Sequence, residues 1–153
     1  MGVSSVAPPG LVDRLSPRLL LLWAGLSAGV AFLATPVKFM APSLSLPVAL
    51  DVGRHTFRVY NEVELALLGV LVVLSAWSKT RRSRYLALAV PGAVAAAQAL
   101  WLIPALDARV SAILAGGQPP PSNLHALYIG AEMLKLAWLL SFGLADLHPR
   151  RPF

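Results

Sequence analysis

Two stretches of this sequence carry ionisable residues at one shared spacing. His55, Arg58 and Glu62 open one apolar run, and His125, Tyr128 and Glu132 open another, with offsets of zero, three and seven in both. Those offsets fall on a single face of an α-helix. Polar groups at membrane depth are costly and mark functional sites. Two histidines on facing helices can ligate a haem iron, a copper or a zinc ion. Two His with two carboxylates resemble the metal sites of helix bundles in general. The spacing therefore nominates His55, His125, Glu62 and Glu132 as metal ligands, and His55, His125, Arg58 and Tyr128 as cofactor-binding residues. Haem b and copper lead the candidates, with Met40 and Met133 as possible soft donors to copper. The Glu-x-x-His motif of di-iron carboxylate proteins is absent, as are a nucleotide-binding loop and an HExxH helix.

The same residues have plainer readings. A His beside a membrane interface is often only solvated, and Arg58–Glu62 and Glu132–Lys135 have the spacing of simple helical ion pairs. Glu132, Lys135, His125 and Tyr128 can also be read as a proton relay or as the lining of a site for a small anionic or amphipathic molecule. Tyr60, Asn61 and Asn123 would support such a site, with Asn123 better placed as the N-cap of its helix. Glu64 lies on the opposite side of its helix from His55, so this reading leaves it out of the site.

Composition fixes the class. The 153 residues are 57% hydrophobic and 13% charged, with a mean hydropathy of +0.68. Soluble domains carry about 25% charged residues. Here the apolar residues fall in continuous runs of about twenty, the length that crosses a hydrocarbon core of about 30 Å. The expected fold is all-α: an integral membrane bundle of four transmembrane helices over residues 18–147. Flanking it are a mobile cytoplasmic tail, 1–17, and a short one, 148–153, in which His148 is solvated. The net charge of +6 carries no basic stripe interleaved with aromatics, so nucleic-acid binding is discarded. Without cysteine, disulfides, thiolate metal sites, iron–sulfur clusters and covalent haem attachment are excluded.

The first span starts near Arg18. Its charged flank resembles a signal peptide, but the apolar stretch runs on past Ala34, and Pro36 kinks its outer end. Residues 42–54 form the first loop, 55–77 the second span, 78–84 a basic loop and 85–106 an Ala-rich third span ending at Pro104. Residues 107–122 form the second loop and 123–146 the fourth span. Arg14, Arg18, Lys79, Arg81, Arg82, Arg84, Arg150 and Arg151 lie on the side of both termini, against Lys38, Arg54, Arg58 and Arg109 on the other. The positive-inside rule then puts both termini in the cytoplasm of a bacterial-type inner membrane. Of the four Trp, Trp23, Trp77 and Trp101 suit interfacial belts, and Trp138 is deep enough for packing.

Further residues carry a family likeness. Pro36-x-x-Phe39 ends the first span, Phe57-x-x-Tyr60 enters the second, Trp101-Leu102-x-Pro104 closes the third and Leu124-His125 opens the fourth. This pattern resembles the four-span transmembrane-protein-205-like family of unknown function and, more distantly, the copper-resistance-D-like group of small membrane bundles. The likeness spans most of residues 18–146. It implies the fold, and marks Pro36, Phe39, Tyr60, Trp101, Pro104 and His125 as typical positions. Some members of the wider group bind haem or handle copper. Its position seven residues after the span-four His is often an amide, where this chain has Glu132. The likeness does not extend to His55 or Glu62. The leading expectation is thus a metal- or haem-binding pocket between spans two and four that faces the periplasm. The rivals are an accessory subunit of a larger membrane complex or a homo-oligomer, and a membrane enzyme or transporter for a small lipophilic or anionic substrate.

Overall fold

The computed structural model describes residues 10–78 and 80–147. Four helices are long and apolar enough to cross a membrane: α1 (Leu11–Lys38), α2 (Leu46–Ala76), α3 (Arg81–Leu114) and α4 (Leu124–Leu147). Each packs on its neighbours in sequence and α1 closes the ring on α4, which leaves α2 and α4 on the diagonal. Leu33, Val59, Val73, Leu86, Leu100 and Leu134 project outward and are exposed. So broad an apolar exterior is stable against lipid and not against water. The chain is a multi-pass, four-helix membrane bundle.

The helices outrun the spans expected from sequence, and the causes are local. Pro47 sits in the first turn of α2, where its missing N–H costs nothing. The helix therefore starts at Leu46, and 46–54 is helix rather than loop. At 31 residues, α2 is about 46 Å long, so its polar first third overhangs the hydrocarbon layer. Likewise α1 begins at Leu11, which makes 11–17 helical rather than part of a tail. Residues 1–9 and 148–153, with the expected solvated His148, lie outside the described residues. Helix α3 continues through Pro104 to Leu114. It stops where Gly116 takes φ +81. Gly116 N–H then bonds Ile113 O at 3.0 Å and Gly117 N–H bonds Ala112 O at 2.9 Å, the glycine-dependent helix stop.

Pro36 and Pro104 do not end their helices. Each is preceded by a widened π-helical turn, Gly29–Ala34 in α1 and Gln98–Leu102 in α3. Thr35 N–H reaches back five residues to Val30 O, and Ile103 N–H does the same to Gln98 O. A proline ring displaces the carbonyl four residues before it, and a wide turn absorbs the displacement without breaking the helix. The extra residue also re-phases the interior face of both helices at that depth.

Two apolar cores result. Towards the basic end, Leu20, Trp23, Ala24, Leu71, Ala87, Leu88, Ala95 and Leu139 pack together. Trp23 is fully buried there, deep in the bundle and not in an interfacial belt. Towards the other end, Leu102, Ile103 and Tyr128 pack with Phe57, Leu106 and Leu124. At the basic end Arg84 ties three helices together, donating to Asp146 Oδ2 at 2.8 Å and to Asp13 O at 3.1 Å. Trp138 packs as expected, its indole N–H bonding Ala87 O at 3.1 Å.

Candidate functional site

Between the two cores lies a buried polar layer to which all four helices contribute. Lys135 of α4 is fully buried at its centre. Its ammonium forms ion pairs with Glu64 Oε1 of α2 and, at 2.8 Å, with Glu132 Oε1 of α4. It also donates to Gln98 Oε1 of α3 at 3.0 Å. An ammonium has three donors, and here each meets one acceptor. Gln98 in turn donates to Glu132 Oε1 at 2.8 Å. On the opposite side Glu64 Oε1 accepts from the Trp23 indole at 2.7 Å and from the Tyr60 hydroxyl at 2.6 Å. Ser27 Oγ lies 2.5 Å from that same hydroxyl. The second carboxylate oxygens, Glu64 Oε2 and Glu132 Oε2, are buried and without a partner among the described residues.

This geometry reassigns the site. On α4 the expected face is the inner one: Tyr128 and Glu132 are buried and continue the stripe to Lys135, Leu139 and Gly143. On α2 the inner stripe is Gly53, Tyr60, Asn61, Glu64, Leu71 and Ser75. His55 and Glu62 fall off that stripe and are exposed. Glu62 is therefore not the interior carboxylate; Glu64 is. Because Glu64 and His55 do lie on opposite sides of α2, burying one turns the other outward. Arg58 pairs with Asp107 of α3 instead of Glu62. Glu132 and Lys135 do pair, as their spacing predicts.

The true counterpart of His125, Tyr128 and Glu132 on α2 is Phe57, Tyr60 and Glu64, at the same offsets. Phe57 and Tyr128 meet across the diagonal with ring centroids 4.7 Å apart. A signal for this was present: Tyr-x-x-x-Glu occurs at 60–64 and at 128–132, and the third tyrosine, Tyr85, has alanine four residues on. Trp23, Ser27 and Gln98 carried no such signal, because the widened turns beside Ser27 and at Gln98 set which way those helices face.

The two histidines line separate grooves. His55 Nδ1 donates to Asp51 O at 2.9 Å, in an open groove between α1 and α2 bordered by Leu26, Val30, Val59 and Val63. His125 borders a cleft of about 310 Å³ between α1, α2 and α4, lined also by Phe32, Thr35, Phe39, Phe57, Tyr128 and Glu132. The two grooves share no lining residue. Nor do three His, Asp or Glu side chains gather as a metal site among the described residues. The donor set His55, His125, Glu62 and Glu132 thus does not fit one metal ion or a bis-histidine haem. What the arrangement offers is a buried, charge-dense triad, one member of which also borders a cleft.

No family model, curated protein or solved structure matches the chain. The family likeness rests on its short motifs alone.

Proposed function

We propose that this chain binds a small lipophilic substrate in the cleft beside Glu132 and couples that binding to proton movement at the Glu64–Lys135–Glu132 triad, as a carrier or a membrane enzyme. One observation carries the reading: Glu132 belongs to both places, holding Lys135 and lining the cleft. A lysine between two carboxylates has a net charge of −1 when all three are ionised and zero when one carboxyl holds a proton. Burying net charge is costly, so a change of occupancy next to Glu132 that alters its surroundings changes which state is favoured. The Oε2 of each glutamate, without a hydrogen-bond partner among the described residues, is an available seat for that proton. Lys135 bonds both Oε1 atoms and can shift its weight between Glu132 and Glu64. The eight-to-four distribution of basic residues supports termini in the cytoplasm of an inner membrane, and the cleft, at the end of the bundle away from them, then opens on the other side.

The test is infrared difference spectroscopy of the purified protein in nanodiscs on addition of a lipophilic ligand, dodecanol. A protonated-carboxyl band is expected, absent in Glu132→Gln or Glu64→Gln and retained in Glu62→Gln. A spectrum with no change at a buried carboxyl would leave the triad a structural clamp between helices. An accessory or self-associating role is a second reading, favoured by Ala89, Ala93 and Ala97, which are exposed at four-residue spacing on α3. Small residues so spaced let helices approach closely in lipid. Migration with a partner or as a stable oligomer in mild detergent is its test.

A further inference from the structure

The cleft continues into a second, smaller cavity of about 80 Å³ near the ends of α1 and α2, and the two share Thr35, Phe39, Phe57 and His125. Lys38, the last residue of α1, borders this cavity. Its ammonium lies over two rings, 5.1 Å from the Phe39 centroid and 5.4 Å from that of Phe57. No acid lies within ion-pair distance of it among the described residues. The other charged groups lining the cavity are already engaged: Arg54 bonds Asp51 Oδ1 at 2.7 Å and Ser111 Oγ at 3.1 Å, and Asp107 is held by Arg58. The second oxygen of Asp107, Oδ1, is buried without a partner among the described residues, yet Lys38 is not paired with it. Gly53 creates the space for this arrangement, since a Cβ there would lie 2.2 Å from Lys38 Nζ. The remaining walls, Leu50, Phe57, Ile103, Leu106 and Val110, are apolar.

A half-buried cation held only by aromatic faces, at the end of a long apolar cleft, has the layout of a site for an amphiphile. We propose that Lys38 anchors the acidic head of a single-chain amphiphile, a carboxylate or a phosphate monoester, whose tail runs down the cleft towards Glu132. The cavity volume supports a head of a few atoms. The cleft, at about 310 Å³, stands at the lower end of ligand pockets, about 300–1,000 Å³, which suits one chain and not two. The polar groups along the tail's path are Thr35, His125, Tyr128 and Glu132. This inference rests on the reading of the cleft as a substrate site and names that substrate's chemical class.

The experiment measures binding of dodecanoate, dodecyl phosphate and dodecanol to the full chain in nanodiscs of phosphatidylcholine. Dodecanoate and dodecyl phosphate are expected to bind about tenfold tighter than dodecanol, as one charge-assisted contact provides. In Lys38→Gln that preference disappears while dodecanol affinity holds. Gly53→Ala, which only has to displace the tip of a flexible side chain, reduces the preference without unfolding the bundle. If the parent binds all three equally, the anchor is wrong and the cleft reading stands. If none binds, the cleft reading itself falls. Repeating the titration in discs with phosphatidylglycerol separates the sources. Weaker dodecanoate binding by the parent, but not by Lys38→Gln, means a lipid head occupies the same anion site; unchanged binding means the site takes the free amphiphile.

Discussion

Helices α2 and α4 face each other across the bundle, and each carries a histidine seven residues before a glutamate. On α4 that glutamate holds the buried lysine; on α2 it is exposed, and the carboxylate two residues further on does the work. Two residues turn a helix by about 200°, enough to exchange an inner face for an outer one. Spacing defines a face but not its direction. Direction is set by what the rest of the helix must bury, here Tyr60, Asn61 and Leu71 on α2 against Tyr128, Leu139 and Gly143 on α4.

Lys135→Met should be the most damaging single change on either helix. It strands two buried carboxylates, and removing one partner of a buried pair costs about 3–5 kcal/mol, read as lost resistance to unfolding in detergent. Adding Glu64→Gln and Glu132→Gln should recover much of that loss, since no unpaired charge remains. Next come the two α2 glutamates. Glu64→Gln should cost about 1–3 kcal/mol, the range for a disrupted buried charged hydrogen bond. Glu62→Gln should stay within about 0.5 kcal/mol, as surface changes do; near-equal effects would undo the reassignment. Tyr60→Phe loses the bonds to Glu64 and Ser27 and should cost about 1 kcal/mol, measured the same way. The smallest effects belong to the histidines. Both His55→Ala and His125→Ala should leave stability within about 0.5 kcal/mol, but only His125→Ala should alter amphiphile binding, because only His125 borders the cleft.

The number of helices and their membrane-spanning character were legible in apolar run length, which lipid enforces directly. Helix ends were less so. Pro104 reads as a stop, yet a widened turn carries α3 past it to Leu114. Half of the site could be read: Tyr128, Glu132 and Lys135 lie on one stripe of a helix with few other polar residues. The other half was not legible because α2 is polar on two sides over its first third, and His55 marks the outer one. Gln98 was out of reach, since its inward aim depends on a π-helical turn that neither composition nor period announces.

The most direct test is a pair of double-mutant cycles in unfolding free energy, one joining Glu64→Gln to Lys135→Met and the other joining Glu62→Gln to Lys135→Met. The ion pair across the diagonal predicts a coupling above about 1 kcal/mol in the first and additivity within about 0.5 kcal/mol in the second. Additivity in the first cycle, or strong coupling in the second, would contradict the placement of Glu64 at the centre of this protein.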